Sequence, residues 1–197
     1  MPVTAAERRA RAGHAGAVVW ITGLSGAGKT TLAMAAERAL FERGCNVVVL
    51  AGDKVRHGLC ADLGFSLPER SENARRLGEV ARLFHDAGQI VLVSAISPLR
   101  ADRDRARALI PPPHFFEVHC RCQLAVCEAR DPKGLYRRAR AGLLPDFTGI
   151  SSPYEEPLSP DVVVDSGVWS VEQEVERLLD ELARRAILPA GKITRSL

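Results

Sequence analysis

The sequence AVVWITGLSGAGKTTL, residues 17–32, is the most informative stretch of the chain about its fold. Its first six residues form an apolar run with the β-branched and aromatic side chains that are typical of a buried strand. Residues 23–30 match the pattern G-x-x-x-x-G-K-[ST], and a segment with helical periodicity follows them. A strand, a glycine-rich loop and a helix in this order predict a phosphate-binding loop, or P-loop.

This loop has the chemistry to hold ATP and Mg²⁺. Its glycines allow the backbone N–H groups to close around phosphate oxygens at the positive end of a helix. We expect Lys29 to contact the β- and γ-phosphates as a catalytic residue, and we expect the Thr30 hydroxyl to be a ligand of Mg²⁺. The predicted nucleotide site in this segment comprises Gly23, Ser25, Gly26, Ala27, Gly28, Lys29, Thr30 and Thr31.

Short apolar runs alternate with helix-period segments along the rest of the chain. The predicted strands are residues 17–22, 46–51, 90–94, 115–120 and 161–164. The predicted helices are residues 29–43, 71–87, 101–110, 124–130 and 171–186. This alternation predicts an α/β three-layer sandwich, with a parallel sheet of about five strands between two layers of helices.

The length of 197 residues predicts a single domain. Residues 1–16 are predicted to be a flexible N-terminal extension, residues 17–186 the domain, and residues 187–197 a C-terminal tail. Residues 131–160 interrupt the alternation and are rich in Gly, Pro and Arg. A strand and a helix follow this segment and complete the same sheet, so we interpret it as a lid rather than a linker.

The composition indicates a globular protein, with 46% hydrophobic and 26% charged residues. A net charge of +3 is too small to indicate a nucleic-acid partner, and no apolar run approaches the roughly 18 residues that span a bilayer. Residues 1–16 lack the apolar segment of a secretion signal, and the number of cysteines, five, is odd. We therefore expect reduced thiols, a cytoplasmic location, and neither a nucleic-acid nor a membrane partner.

Several further blocks of sequence resemble the adenylyl-sulfate kinase family. They are GDKVRHGL at residues 52–59, DLGFS at 62–66, the pair Arg70 and Asn73, SAISP at 94–98, RDPKGLY at 130–136 and FTGI at 147–150. The resemblance extends from about residue 16 to the last helix. It implies a fold like that of P-loop nucleoside and nucleotide kinases, with ATP as donor, Mg²⁺ as cofactor and adenosine 5′-phosphosulfate as the acceptor.

The same resemblance implies the residues that bind the acceptor: Asp53, Arg56, Phe65, Arg70, Asn73, Ile96, Ser97, Lys133, Leu135 and Phe147. The two arginines match positions that hold the phosphate and sulfate groups, and a planar guanidinium suits such an anion. The two phenylalanines match positions that sandwich the adenine ring. On the donor side, Lys133 matches a lid residue at the ATP phosphates and Arg130 one near the ATP base.

Asp53 follows the second strand at the carboxyl edge of the sheet, where ligands of open α/β folds bind. It is predicted to be catalytic, either by orienting or accepting the proton of the acceptor hydroxyl, or by holding Mg²⁺ through water.

Two other functions remain open: a related kinase with another small-molecule alcohol as acceptor, and a non-catalytic nucleotide-binding regulator. In the pathway that the resemblance implies, an ATP sulfurylase would act upstream as a separate chain. A homodimer is also left open.

Overall fold

A five-stranded parallel sheet forms the centre of the structure, a computed structural model that describes residues 2–188. The strands are β1 (Ala17–Thr22), β2 (Val47–Ala51), β3 (Ile90–Ser94), β4 (Phe115–Arg121) and β5 (Val162–Asp165). They lie in the order β2-β3-β1-β4-β5, and every neighbouring pair is parallel. The predicted parallel sheet of about five strands is confirmed, with the P-loop strand β1 at its centre.

Eight α-helices surround this sheet in the part of the chain that the structure describes: α1 (Ala5–Ala12), α2 (Lys29–Glu42), α3 (Gly52–Val55), α4 (Leu67–Asp86), α5 (Arg100–Ala108), α6 (Leu124–Arg130), α7 (Leu135–Arg140) and α8 (Val171–Arg184). Helix α4 begins at Leu67 rather than at residue 71 because Ser66 and Glu69 form a capping box, in which the Ser66 N–H donates to Glu69 Oε2 at 3.1 Å. Within residues 2–188, no helix combines the length and the apolar character needed to span a bilayer.

Two hydrophobic cores lie on the two faces of the sheet, because successive side chains of a strand point to opposite faces. From β1, Val19 and Ile21 face one core, which contains the apolar sides of α2 and α8. Val18 and Trp20 face the other core, which α4 and α5 cover. All four side chains are fully buried, and the predicted three-layer sandwich is confirmed.

The two ends of the described chain lie against each other. The extension includes α1, whose Arg9 donates to the carbonyl of Ala186 at 3.0 Å. Next to it, the N–H of Ala15 donates to the carbonyl of the buried Ile187 at 2.9 Å. The boundaries after residues 16 and 186, the flexibility of the extension and the limits of the lid stay predictions, and residues 189–197 of the tail lie outside the described part.

The carboxyl edge of the sheet brings the predicted site segments together. Strand β1 leads directly into the P-loop, β2 ends just before Asp53, and β3 ends just before Ile96. Since β1 and β2 both pair with β3, these three strand ends are neighbours.

Candidate active site

The P-loop is held from outside through its backbone carbonyl groups. The Ser25 carbonyl accepts a hydrogen bond from the Tyr136 hydroxyl at 2.9 Å, and the Ala27 carbonyl accepts one from the Ser166 hydroxyl at 2.7 Å. In a trans peptide the N–H points away from the C=O, so the N–H groups of Gly26 and Gly28 point to the other side of the loop. That inner side is where a phosphate-binding loop presents its donors.

Two glycines give the loop its shape. Gly26 has a φ of 74° and Gly28 a φ of 90°, and both values lie in the region that strains other residues. A Cβ atom on Gly26 would also lie 3.1 Å from the carbonyl oxygen of Cys127. Gly28 is the N-cap of α2, so the loop leads straight into the positive end of this helix.

Lys29 is buried at the start of α2, and its Nζ donates to the carbonyl of Leu24 at 2.6 Å. Burial lowers the pKa of Lys29 from 10.5 to about 8, because the charged amine is desolvated there. Negatively charged phosphates beside this amine would favour its protonated form. The geometry therefore suits a lysine that gains its partner when a nucleotide binds.

The Thr30 hydroxyl and the Asp53 carboxylate are hard oxygen ligands of the kind that Mg²⁺ prefers. Thr30 is exposed, and its Oγ1 lies 3.0 Å from the hydroxyl oxygen of Ser94 at the end of β3. Among residues 2–188, no three His, Cys, Asp or Glu side chains form a metal-binding group. The residues present fit a Mg²⁺ ion that takes most of its ligands from phosphates and water. Thr31, which follows, is also exposed.

Asp53 and Lys133 form an ion pair across the mouth of the site. Asp53 lies in the first turn of α3, whereas Lys133 lies between α6 and α7 in the segment predicted to be a lid, 80 residues later in the sequence. Both side chains are more than half exposed. The structure thus brings together a residue predicted for catalysis and one predicted for both substrates.

Two arginines surround an exposed phenylalanine after β2. The guanidinium of Arg56 lies 4.3 Å from the centre of the Phe65 ring, and that of Arg70 lies 5.5 Å from it. Arg70 Nε also donates to the Phe65 carbonyl at 2.7 Å, and Arg56 donates to the Gly64 carbonyl at 2.8 Å. Burial lowers the pKa of both arginines, yet they remain cations at any physiological pH. The Phe65 ring is 59% exposed, so one aromatic surface is available beside two positive charges.

The predicted partner of Phe65 sits in a different environment. Phe147 is only 7% exposed and packs edge-on against Tyr136, with ring centres 5.0 Å apart. Arg70 links the two phenylalanine segments, because it also donates to the carbonyl of Asp146 at 3.2 Å. The structure therefore places the Phe65 ring and the backbone just before Phe147 next to Arg70, with Phe65 exposed and Phe147 packed against Tyr136.

The loop after β3 is buried and fixed by strand β1. The Ile96 carbonyl accepts a hydrogen bond from Thr22 Oγ1 at 2.6 Å, and the Ser97 hydroxyl accepts one from the Trp20 indole at 2.9 Å. Ser97 has a φ of 40°, which is uncommon for a residue other than glycine. Asn73 on α4 is also buried, and its Oδ1 has no hydrogen-bond partner among the described residues.

Two residues, one predicted for the ATP site and one for the acceptor site, lie around the P-loop. Arg130 ends α6 and donates to the carbonyl of Gly26 at 3.4 Å. Leu135 begins α7 and packs against the core that contains α2.

Sequence reasoning missed the residues that shape the site from behind, namely Trp20, Thr22, Tyr136 and Ser166. Only Tyr136 carried a signal, since it is a lone aromatic residue in an arginine-rich helix.

A P-loop with its lysine and threonine, an acidic residue after β2, the next strand along the chain, and a basic segment around α7 define a P-loop kinase. The family model described as "Adenylylsulphate kinase" matches residues 15–165. The chain belongs to the adenylylsulphate kinase family, and it is therefore an ATP-dependent phosphotransferase.

Individual relatives agree with this membership. The chain is 55% identical to an adenylyl-sulfate kinase of Geotalea uraniireducens over 98% of its own length and 92% of the relative's. It is also 55% identical to an adenylyl-sulfate kinase of Shewanella amazonensis over 95% of each chain. Among solved structures, the APS kinase of Mycobacterium tuberculosis in complex with AMPPNP and APS is 49% identical, with a TM-score of 0.82 over 86% of this chain and 99% of that one.

Proposed function

We propose that this protein transfers the γ-phosphate of ATP to the 3′-hydroxyl of adenosine 5′-phosphosulfate, which gives 3′-phosphoadenosine 5′-phosphosulfate and ADP. The observation that carries the proposal is one shared edge of the sheet. It holds a P-loop on β1 and, after β2, an exposed aromatic ring between two arginines. The ion pair of Asp53 and Lys133 lies between these two sites.

On the donor side, the P-loop N–H groups and Lys29 would bind the phosphates of ATP, and Lys133 would approach them from the lid. Arg130 would pack near the adenine of ATP. The Thr30 hydroxyl would hold a Mg²⁺ ion, which would supply positive charge beside the transferred phosphoryl group. These contacts stabilise the charge that develops as the bond between the β,γ-bridging oxygen and the γ-phosphorus breaks.

On the acceptor side, the base would stack on Phe65, with Phe147 completing the stack from the lid. Arg56 and Arg70 would hold the phosphosulfate group, which needs several cationic donors. The amide of Asn73 lies one helical turn after Arg70, and its unpartnered oxygen suits a hydroxyl or amino donor of the ligand. The backbone of Ile96 and Ser97 and the side chain of Leu135 would complete the pocket.

The chemical step then needs positioning more than a strong base. Asp53 would orient the 3′-hydroxyl and receive its proton as the new oxygen–phosphorus bond forms in line with the leaving ADP. No covalent intermediate is required. The Ser97 hydroxyl is buried and accepts the Trp20 indole proton, which suits a structural role better than a nucleophilic one.

We also propose the cellular setting. A separate ATP sulfurylase would supply the acceptor, because joining sulfate to AMP is a different reaction from phosphorylating a ribose hydroxyl. The protein would act in the cytoplasm as a monomer or a homodimer. Size-exclusion chromatography with light scattering would distinguish these two states.

A coupled ADP-release assay with a panel of acceptors tests the proposed activity. Adenosine 5′-phosphosulfate should give ADP far faster than AMP, adenosine or a non-nucleotide alcohol. Replacement Arg70→Ala should weaken acceptor binding by about 2–5 kcal/mol, since a bound anion loses its partner. Replacement Arg75→Ala is the matched control, because Arg75 lies on the same helix in an exposed pair with Glu72.

A second variant in the same assay tests the stacking of the acceptor base on Phe65. Phe65→Ala should cost about 1–3 kcal/mol of acceptor binding. Phe65 is exposed, so this replacement leaves the core intact. If another alcohol releases ADP while adenosine 5′-phosphosulfate does not, the proposed acceptor is wrong.

A further inference from the structure

Arg103 on α5 is a buried cation that three groups surround. The residue is 2% exposed, and its guanidinium uses three different nitrogens as donors. Nε donates to Glu117 Oε1, one terminal nitrogen donates to the Ser97 carbonyl, and the other donates to the Glu155 carbonyl, each at 2.7 Å. The carboxylate balances the charge, while the two carbonyls belong to separate segments of the site.

The first of these segments is the loop after β3. Its Ser97 adopts the uncommon positive φ of 40°, so a neighbouring group has to hold this conformation in place. Arg103 donates to the carbonyl of Ser97, while the Trp20 indole donates to its hydroxyl. The loop is therefore fixed between a strand of the sheet and a buried guanidinium.

The second segment is the chain that leaves the lid. The Glu155 N–H donates to the carbonyl of Pro98 at 2.9 Å, so this chain runs beside the loop of Ser97. The Glu155 carbonyl accepts from Arg103, and the ring of Tyr154 lies 6.0 Å from the guanidinium carbon. One planar group thus ties the exit of the lid to the loop after β3.

We propose that Arg103 is a positioning residue for the acceptor, acting through the loop of Ser97 and the exit of the lid. This inference rests on the proposed function, in which the backbone of Ile96 and Ser97 contacts the acceptor. Arg103 itself touches no reacting atom. Its fork of donors fits three acceptors in one plane, whereas the ammonium group of a lysine is a compact charge on a flexible stem.

The competing explanation is that Arg103 serves only stability, as half of a buried ion pair with Glu117. Replacing each residue of the ion pair in turn distinguishes the two explanations. Arg103→Lys keeps the charge but loses the hydrogen bonds to the two carbonyls. Glu117→Gln removes the negative charge but leaves both carbonyl bonds and an oxygen that still accepts from Nε. It also leaves a buried cation without its counter-charge, which is strongly destabilising.

The test compares these two variants with the full-length wild-type enzyme by melting temperature and by KM for each substrate. Arg103→Lys should raise the acceptor KM about tenfold or more, as expected when hydrogen bonds from a charged group are lost, and should change the KM of ATP less than about twofold. Glu117→Gln should lower the melting temperature by at least as much as Arg103→Lys does. Its KM values for both substrates should stay near those of wild type. Equal effects of both variants on the acceptor KM, or none from Arg103→Lys, would overturn the proposal.

A second variant covers the case in which Arg103→Lys does not fold. The double replacement Arg103→Gln with Glu117→Gln removes both buried charges together, so no unpaired charge remains. Compared with Glu117→Gln alone, it should still raise the acceptor KM. An acceptor KM equal to that of the single variant would refute the positioning role.

A spectroscopic measurement separates this inference from the proposed function. In a Trp169→Phe background, the indole N–H resonance of Trp20 reports its hydrogen bond to Ser97. Glu117 is the neighbour of Trp20 across β1 and β4, so both variants can move this resonance. Arg103→Lys should shift it more than Glu117→Gln, which keeps the bond from Arg103 to Ser97, whichever acceptor is phosphorylated. If the wild-type enzyme is inactive on adenosine 5′-phosphosulfate, the proposed function fails, and the KM test is repeated with the acceptor that does release ADP. An unmoved resonance in Arg103→Lys refutes the inference itself.

Discussion

Glu174→Gln should stabilise the protein above neutral pH. Glu174 lies in the first turn of α8 and is only 3% exposed. Burial raises its pKa from 4.5 to about 7, the negative charge of Asp165 adds to this rise, and Arg130 opposes it. The native protein therefore holds a proton on Glu174 between these pH values, where the unfolded chain has lost it.

The sign and size of the effect follow from proton linkage. Proton uptake favours the folded state fully below pH 4.5, and this contribution is lost as the pH rises through 7. At about 1.4 kcal/mol for each pKa unit, the ionised side chain costs the native state about 3 kcal/mol at pH 8. Its favourable interaction with the positive end of α8 is worth about 0.3–1 kcal/mol, and glutamine loses that interaction. The expected net gain is therefore about 2–3 kcal/mol.

Thermal unfolding at two pH values measures this gain. At pH 8, Glu174→Gln should raise the melting temperature by roughly 4–12 °C, given 2–4 °C for each kcal/mol in a chain of this size. At pH 5 it should match wild type within about 1 kcal/mol, because Glu174 is then protonated in the native state and only partly ionised in the unfolded chain. The control is Glu176→Gln, an exposed residue on the same helix, which should have little effect at either pH. A gain that is equal at both pH values would refute the reasoning.

Three further replacements test the catalytic residues and their support. Lys29→Ala should lower kcat by about 100-fold or more with an unchanged circular dichroism spectrum, because charge on the transferred phosphate loses its partner; near wild-type turnover would remove the P-loop lysine from the mechanism. Asp53→Asn should lower kcat in steady-state assays with little change in the KM of ATP, and an unchanged kcat would reduce Asp53 to a structural residue. Tyr136→Phe should raise the KM of ATP roughly fivefold, as one hydrogen bond to the P-loop is lost. If Tyr136→Phe changed only the KM of the acceptor, the hydrogen bond from Tyr136 to the P-loop would not be supporting ATP binding.

The sheet and the large helices could be predicted because their signals are local. Apolar runs marked each strand within one or two residues, and Gly44 and Gly88, which lie just past α2 and α4, are typical of helix ends. The start of α4 was placed too late, although Ser66 and Glu69 show the spacing of a capping box. Short helices such as α3 and α7 have only one or two turns, and such lengths carry little periodicity.

Residues of the candidate site could be predicted from the sequence only where their side chains have a distinctive chemistry. The P-loop lysine is predicted by the spacing of its motif, whereas the arginines near Phe65 were predicted only through the resemblance to a known family. The bonds of Arg103 and Tyr136 could not be predicted, because their partners are backbone carbonyls that every residue possesses. The burial of Phe147 depends on Tyr136, and that contact requires the lid to be folded.

The ion pair of Asp53 and Lys133 predicts an order in which the two substrates bind. Lys133 has a single ammonium group, so the carboxylate and the phosphates of ATP compete for it. A triphosphate carries more negative charge than one carboxylate, and its binding would draw Lys133 away. Asp53 would then be released to meet a ribose hydroxyl. We therefore expect the donor to bind first, with the acceptor site becoming fully competent only once ATP is in place.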